Sequence, residues 1–130
     1  MTSAAAPPNV VFFLADDLGV RDLAVYGSSF YETPNLDRLA KEGMLFRNAY
    51  SACPVCSPTR AAIQTGRWPQ RSGITDYLDA PTPKSPWTLN TKSRSADFAK
   101  RLELSEATLG DAFKANGYAT FFAGKWHLGP

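Results

Sequence analysis

The sequence predicts an α/β domain built on a mostly parallel sheet, and three observations predict it. Short runs rich in β-forming apolar residues, Asn9–Ala15, Met44–Tyr50 and Tyr118–Ala123, read as strands, the first and last as strands buried on both faces. Helical patterns with start and stop signals lie between them. The first and third runs end on chemistry-bearing side chains, Asp16-Asp17 and Lys125-Trp126-His127, at the strand ends where open α/β sheets place ligands. Alternating strands and helices imply right-handed crossovers, which would bring Asp16, Asp17, Lys125 and His127 to one edge of the sheet.

Each element has its own justification. Residues 1–8 read as a flexible start. Asp16 and Asp17 side by side repel unless a cation lies between them, and hard carboxylate oxygens suit Ca²⁺ or Mg²⁺; an Asp-Asp turn is the plainer alternative. Residues 19–29 form a loop. Thr33 as N-cap, Pro34 at the first helical position and Gly43 as terminator define a helix with Leu36, Leu39 and Ala40 on one face. A second helix begins near Cys56, carries Pro58 in its first turn and stops at Gly66. Residues 67–73 read as an irregular turn. Residues 76–95, rich in Pro, Thr, Ser and Lys, read as a surface loop in which Trp87 packs locally. The last helix covers 105–117 and ends at Asn116-Gly117, with Leu109, Ala112 and Phe113 on its inner face.

At 130 residues with 44% hydrophobic and 20% charged residues, the chain fits one globular domain. A net charge of +2 without a basic, aromatic-laced stripe gives no reason to expect nucleic acid. No apolar run reaches the length of a membrane span, and the first residues do not form an intact signal peptide. Cys53 and Cys56 have the spacing of a redox dithiol or half a zinc site. Zinc lacks further ligands beyond His127 and carboxylates, and dithiol exchange gives Pro58 and Arg60 no role. Cys53 is expected to be a small buried neighbour of Cys56.

Cys56 at a helix N-terminus sits where unpaired N–H groups and the dipole favour negative charge, and Arg60 is one turn on. A sulfur nucleophile, a cation and an anion-binding helix end converge there, an arrangement for attacking an oxyanion. Cys56-Ser57-Pro58-Thr59-Arg60 followed by Thr65-Gly66, Asp16-Asp17 after the first strand, Thr33-Pro34-Asn35-Leu36-Asp37-Arg38-Leu39-Ala40, and Gly124-Lys125-Trp126-His127-Leu128-Gly129 together resemble the type I sulfatases. The resemblance runs from Asn9 to Gly129. It implies the N-terminal part of an alkaline-phosphatase-like α/β/α sandwich and a sulfate-ester substrate. It also implies that a formylglycine-generating maturation enzyme oxidises Cys56 to formylglycine. The hydrated aldehyde carries two hydroxyls: one attacks sulfur, and the other collapses to the aldehyde and expels sulfate.

By the same resemblance Asp16, Asp17 and the oxygen of matured Cys56 are metal ligands. Lys125 contacts formylglycine and sulfate, His127 hydrogen-bonds a formylglycine hydroxyl and helps deprotonate it, and Arg60 steadies the formylglycine. An exposed lysine and a structural histidine are the plainer readings of Lys125 and His127 taken singly. Members of the family are several times longer, so a missing C-terminal part of the catalytic domain is expected to supply the remaining metal ligands. Ca²⁺ takes about six to eight oxygens, so weak metal binding and little or no activity are expected of these residues alone. The family favours a site of action outside the cytoplasm. Rival readings are a phosphonate monoester or phosphodiester hydrolase of the same superfamily, a non-catalytic chain that needs a partner, and a Cys53–Cys56 redox protein.

Overall fold

Four α-helices form among the described residues, which are 6–80, 92 and 96–130 of a computed structural model: α1 (Pro34–Glu42), α2 (Cys56–Thr65), α3 (Pro69–Ser72) and α4 (Leu109–Ala115). The chain divides into two compact units, the first ending at Leu45 and the second beginning at Phe46.

In the first unit, α1 has the bounds its end signals predict, with Pro34 at its first position and the Gly43 N–H bonded to the Leu39 carbonyl at 2.9 Å. Thr33 does not cap the helix with its side chain. Its hydroxyl accepts from the Ala24 N–H at 3.0 Å and donates to Asp37 at 3.1 Å, tying the preceding loop to α1. That loop contains two 3₁₀ turns, Val20–Asp22 and Ala24–Tyr26. The Asp22 carboxylate accepts from the Gly19 N–H at 2.7 Å, which closes the first of them. The predicted apolar face of α1 stays open: Leu36 and Leu39 are exposed and Ala40 is half-buried.

The second unit holds the buried core, formed by Ala61 of α2 with Ile74, Leu102 and Leu128, and by Leu78 and Ala99 packed against them. Burial of a side chain the size of Ile74 or Leu128 stabilises by roughly 1.5–3 kcal/mol. α2 ends where Gly66, at φ 67°, takes the left-handed conformation and its N–H reaches the Ala62 carbonyl at 2.8 Å. The stretch expected to be an irregular turn after it contains the short helix α3, with Trp68 as N-cap and Pro69 buried at its first position.

α4 is shorter than the 105–117 the sequence predicts, because Thr108 is its N-cap. Thr108 and Asp111 satisfy each other: the Asp111 N–H reaches Thr108 Oγ1 at 3.3 Å, and the carboxylate accepts from the Thr108 hydroxyl at 2.7 Å and N–H at 2.9 Å. These bonds, the hydroxyl's first and the backbone's next, hold the Asp111 carboxyl below its ordinary value, with Lys114 adding to the effect. A folded value below the unfolded one gives a contribution present above the unfolded carboxylate range and lost as pH falls through the folded value. Thr108→Ala is expected to weaken the chain by about 1 kcal/mol and to raise the Asp111 titration midpoint in a carboxyl ¹³C NMR titration. An unchanged midpoint would show that the cap does not hold the carboxylate.

The three runs predicted as strands have no regular secondary structure, the second bending at Arg47 and Asn48, and no strand is paired among the described residues. The expected sheet is therefore not formed there, since an extended segment becomes a strand only when a neighbour takes up its N–H and C=O groups. Nor are the runs buried: Val11 is 75% exposed, Phe13 89% and Phe121 93%. Trp87 and most of the predicted 76–95 loop lie outside the described residues, as does most of the 1–8 start.

Candidate active site

The first turn of α2 sets the geometry. Val55 is the extended N-cap, Cys56 the first helical residue, and Pro58 the third, a position whose N–H has no intrahelical acceptor in any case. Ser57 and Pro58 are buried, which fixes the turn against the core of its unit and leaves Cys56 half-buried beside them. Cys53 is half-buried rather than buried, and both thiols are free. What Cys53 contributes is its carbonyl, which accepts from the Thr59 hydroxyl at 2.6 Å and from Ser51 at 3.1 Å. A backbone contribution of this kind needs no thiol.

The segment after Phe122 reaches the same place from the other end of the unit. Lys125 Nζ lies 3.4 Å from Cys56 Sγ, an ammonium donating to sulfur. Arg60 is only 9% exposed, and its Nη1 donates to the Lys125 carbonyl. Arg60 thus holds the backbone that carries the lysine. Three residues on, Leu128 enters the core, and its carbonyl accepts from the Leu102 N–H at 2.8 Å. Gly129, at φ 115°, passes so close to Arg101 that a Cβ there would sit 2.7 Å from the Arg101 Cβ, so glycine is required on both counts. Trp126 packs edge-on against Phe122, with ring centroids 5.6 Å apart. The lysine is thereby anchored on both sides along the chain.

His127 lies within this anchored segment, and its Nε2 is 3.3 Å from Asp79 Oδ2. Asp16 and Asp17, in the other unit, are exposed at the end of the Val10–Ala15 run. Their adjacent carboxylates are the hard-oxygen donor set that a divalent ion such as Ca²⁺ or Mg²⁺ takes. Among the described residues, the non-glycine positions with positive φ are Asp17 (55°) and His127 (54°). Asp and His tolerate that region better than most residues, yet it still carries strain, and strain of this kind gathers at functional sites.

Sequence reasoning missed two residues here. Asp79 sits in a stretch that reads as a solvated loop, and Ser57 reads only as a spacer in the cysteine motif. Ser57 Oγ accepts from the Leu78 N–H at 3.1 Å. Buried serine next to a proline in the first turn of a helix was the available signal for Ser57; Asp79 had none.

Comparison with known proteins gives the family. The sequence model of the Sulfatase family matches residues 8–130. The chain is 44% identical over 132 residues to N-acetylgalactosamine-6-sulfatase of Homo sapiens, covering 98% of this chain and 23% of that protein. It is 43% identical over 127 residues to arylsulfatase A of Bos taurus, covering 98% and 22%, and 44% identical over 126 residues to steryl-sulfatase of Mus musculus, covering 97% and 19%. The chain belongs to the sulfatase family, and membership carries with it the α/β fold class that the sequence predicts. It spans about a fifth of the length of these relatives.

Proposed function

We propose that the chain contributes to a sulfuric ester hydrolase, acting on a sulfate ester through Cys56 matured to formylglycine by a maturation enzyme. The observation that carries this reading is the Lys125 ammonium 3.4 Å from the side chain of residue 56 at the head of α2, in a chain of the sulfatase family. Matured to formylglycine and hydrated by addition of one water to the aldehyde, residue 56 would supply two hydroxyls on one carbon. Lys125 offsets negative charge that builds on sulfate oxygens, and Arg60 keeps the lysine's backbone in place. His127 is the group that accepts and returns a proton, the role imidazole most often takes.

Asp16 and Asp17 are the proposed ligands of a divalent ion, Ca²⁺ before Mg²⁺, which would polarise oxygens bound to it. The rest of its coordination shell and further sulfate-binding residues are assigned to a C-terminal part of the catalytic domain. The family also favours action outside the cytoplasm; no helix among the described residues is long and apolar enough to cross a membrane.

The test is turnover by the full-length protein co-produced with a formylglycine-generating enzyme. An aryl sulfate is expected to be hydrolysed faster than a phosphodiester, and the peptide containing residue 56 to be lighter than its thiol form by mass spectrometry. A preference for the phosphodiester would transfer the reading to the phosphonate and phosphodiester hydrolases of the same superfamily. Complete conversion of residue 56 without turnover of either ester would overturn it.

A further inference from the structure

The contact between His127 and Asp79 fixes more than a position. An ionised carboxylate only accepts hydrogen bonds, so the ring nitrogen facing Asp79 Oδ2, Nε2, is the one that carries hydrogen. The other nitrogen, Nδ1, is shielded from water and has no hydrogen-bond partner among the described residues. In a neutral imidazole with hydrogen on Nε2, Nδ1 holds the free lone pair.

Asp79 is itself 86% exposed, and an exposed acid beside a histidine is ordinarily a weak contact. What distinguishes this one is how the acid is held. The residue before it, Leu78, donates its N–H to the buried Ser57 hydroxyl in the first turn of α2. The residue after it, Ala80, is buried and donates its N–H to the Tyr77 carbonyl at 2.9 Å. Asp79 therefore projects from a turn pinned on both sides, and one of those pins is the neighbour of Cys56. The His127 ring is presented from left-handed backbone and followed directly by the buried Leu128. The backbone that carries Asp79 is held on both sides and the His127 ring is largely covered, so the ring has a defined orientation.

We propose that Asp79 is a positioning residue for His127: it holds the ring in the Nε2–H tautomer and leaves Nδ1 as its basic atom. The use of that basic atom, accepting a proton from a group of the site during sulfate release, rests on the sulfatase reading above. The tautomer does not.

The chain contains a single histidine, so its imidazole signals need no assignment. Two-bond ¹H–¹⁵N correlation spectra of the 130-residue chain, recorded at a pH where the ring is neutral, read the tautomer directly. The wild type is expected to show one protonated and one unprotonated nitrogen, with Nε2 protonated. In Asp79→Ala both nitrogens are expected to move toward the averaged positions of a free imidazole. Asp79→Asn, whose amide oxygen still accepts, is expected to restore the fixed pattern. A purely structural role for Asp79 would leave the ring nitrogens unmoved. The proposal is overturned by hydrogen on Nδ1 or an averaged pattern in the wild type, or by an Asp79→Ala pattern identical to the wild type. Failure of sulfate-ester turnover would sink the functional reading while leaving this measurement untouched, so the two failures are distinguishable.

Discussion

Replacing Cys56 by alanine is expected to lower sulfate-ester turnover of the full-length protein by at least about 10⁴-fold, the scale on which removal of a covalent nucleophile acts. Stability should barely change. Cys56 is only half-buried, it occupies the first position of α2, and alanine is the better helix former. A thermal melt of the variant is therefore expected to overlay that of the parent, within about 0.5 kcal/mol. Cys53→Ala is the informative control. The groups that lean on Cys53, the hydroxyls of Ser51 and Thr59, bond to its carbonyl, which alanine keeps. Turnover is expected to survive that change. If Cys53→Ala were as damaging as Cys56→Ala, the pair would act as a dithiol and the redox reading would replace the hydrolytic one.

What could be read from the sequence was what depends on neighbours in the chain. α1 begins at Pro34 and ends at Glu42 because Pro fits the first position and Gly43 the end, and both signals lie within the segment. α2 stops at Gly66 for the same kind of reason. α4 was expected over 105–117 and begins later, because Thr108 caps it and Asp111, three residues on, returns the hydrogen bond. The strands were harder to read. A run such as Val10–Leu14 states that it is apolar and β-forming, but pairing is a relation between distant segments that no single run specifies. The candidate site divides along the same line. Cys56, Lys125 and Arg60 were visible as motif letters. The place of Arg60 one turn after Cys56 could be read too, but not its bond to the carbonyl of Lys125, 65 residues away. Asp79 meets His127 across 48 residues and could not be seen at all.

Arg60→Ala is expected to damage both stability and turnover, and to do so together. The side chain is 9% exposed, and its guanidinium donates to a main-chain carbonyl whose residue also presents the ammonium nearest Cys56. Removing the donor takes away the side-chain bond to that carbonyl and loosens the Lys125 backbone. Losing a hydrogen bond from a charged donor costs about 1.5–3 kcal/mol, read as a lower urea midpoint. Displacing a lysine that stabilises developing charge costs about 10²–10³-fold in kcat. Lysine at position 60 keeps the charge but lacks the planar fork that lets Arg60 span from α2 to the carbonyl, so Arg60→Lys should recover little of either loss. Ile74→Ala separates the two effects. It opens the core away from the Lys125–His127 segment at a comparable or greater cost in stability, about 2–5 kcal/mol, yet leaves the Arg60–Lys125 contact in place and should spare kcat far more. Equal losses of kcat in the two variants, each assayed well below its melting temperature, would mean that Arg60 serves the site only through general stability and not by holding Lys125.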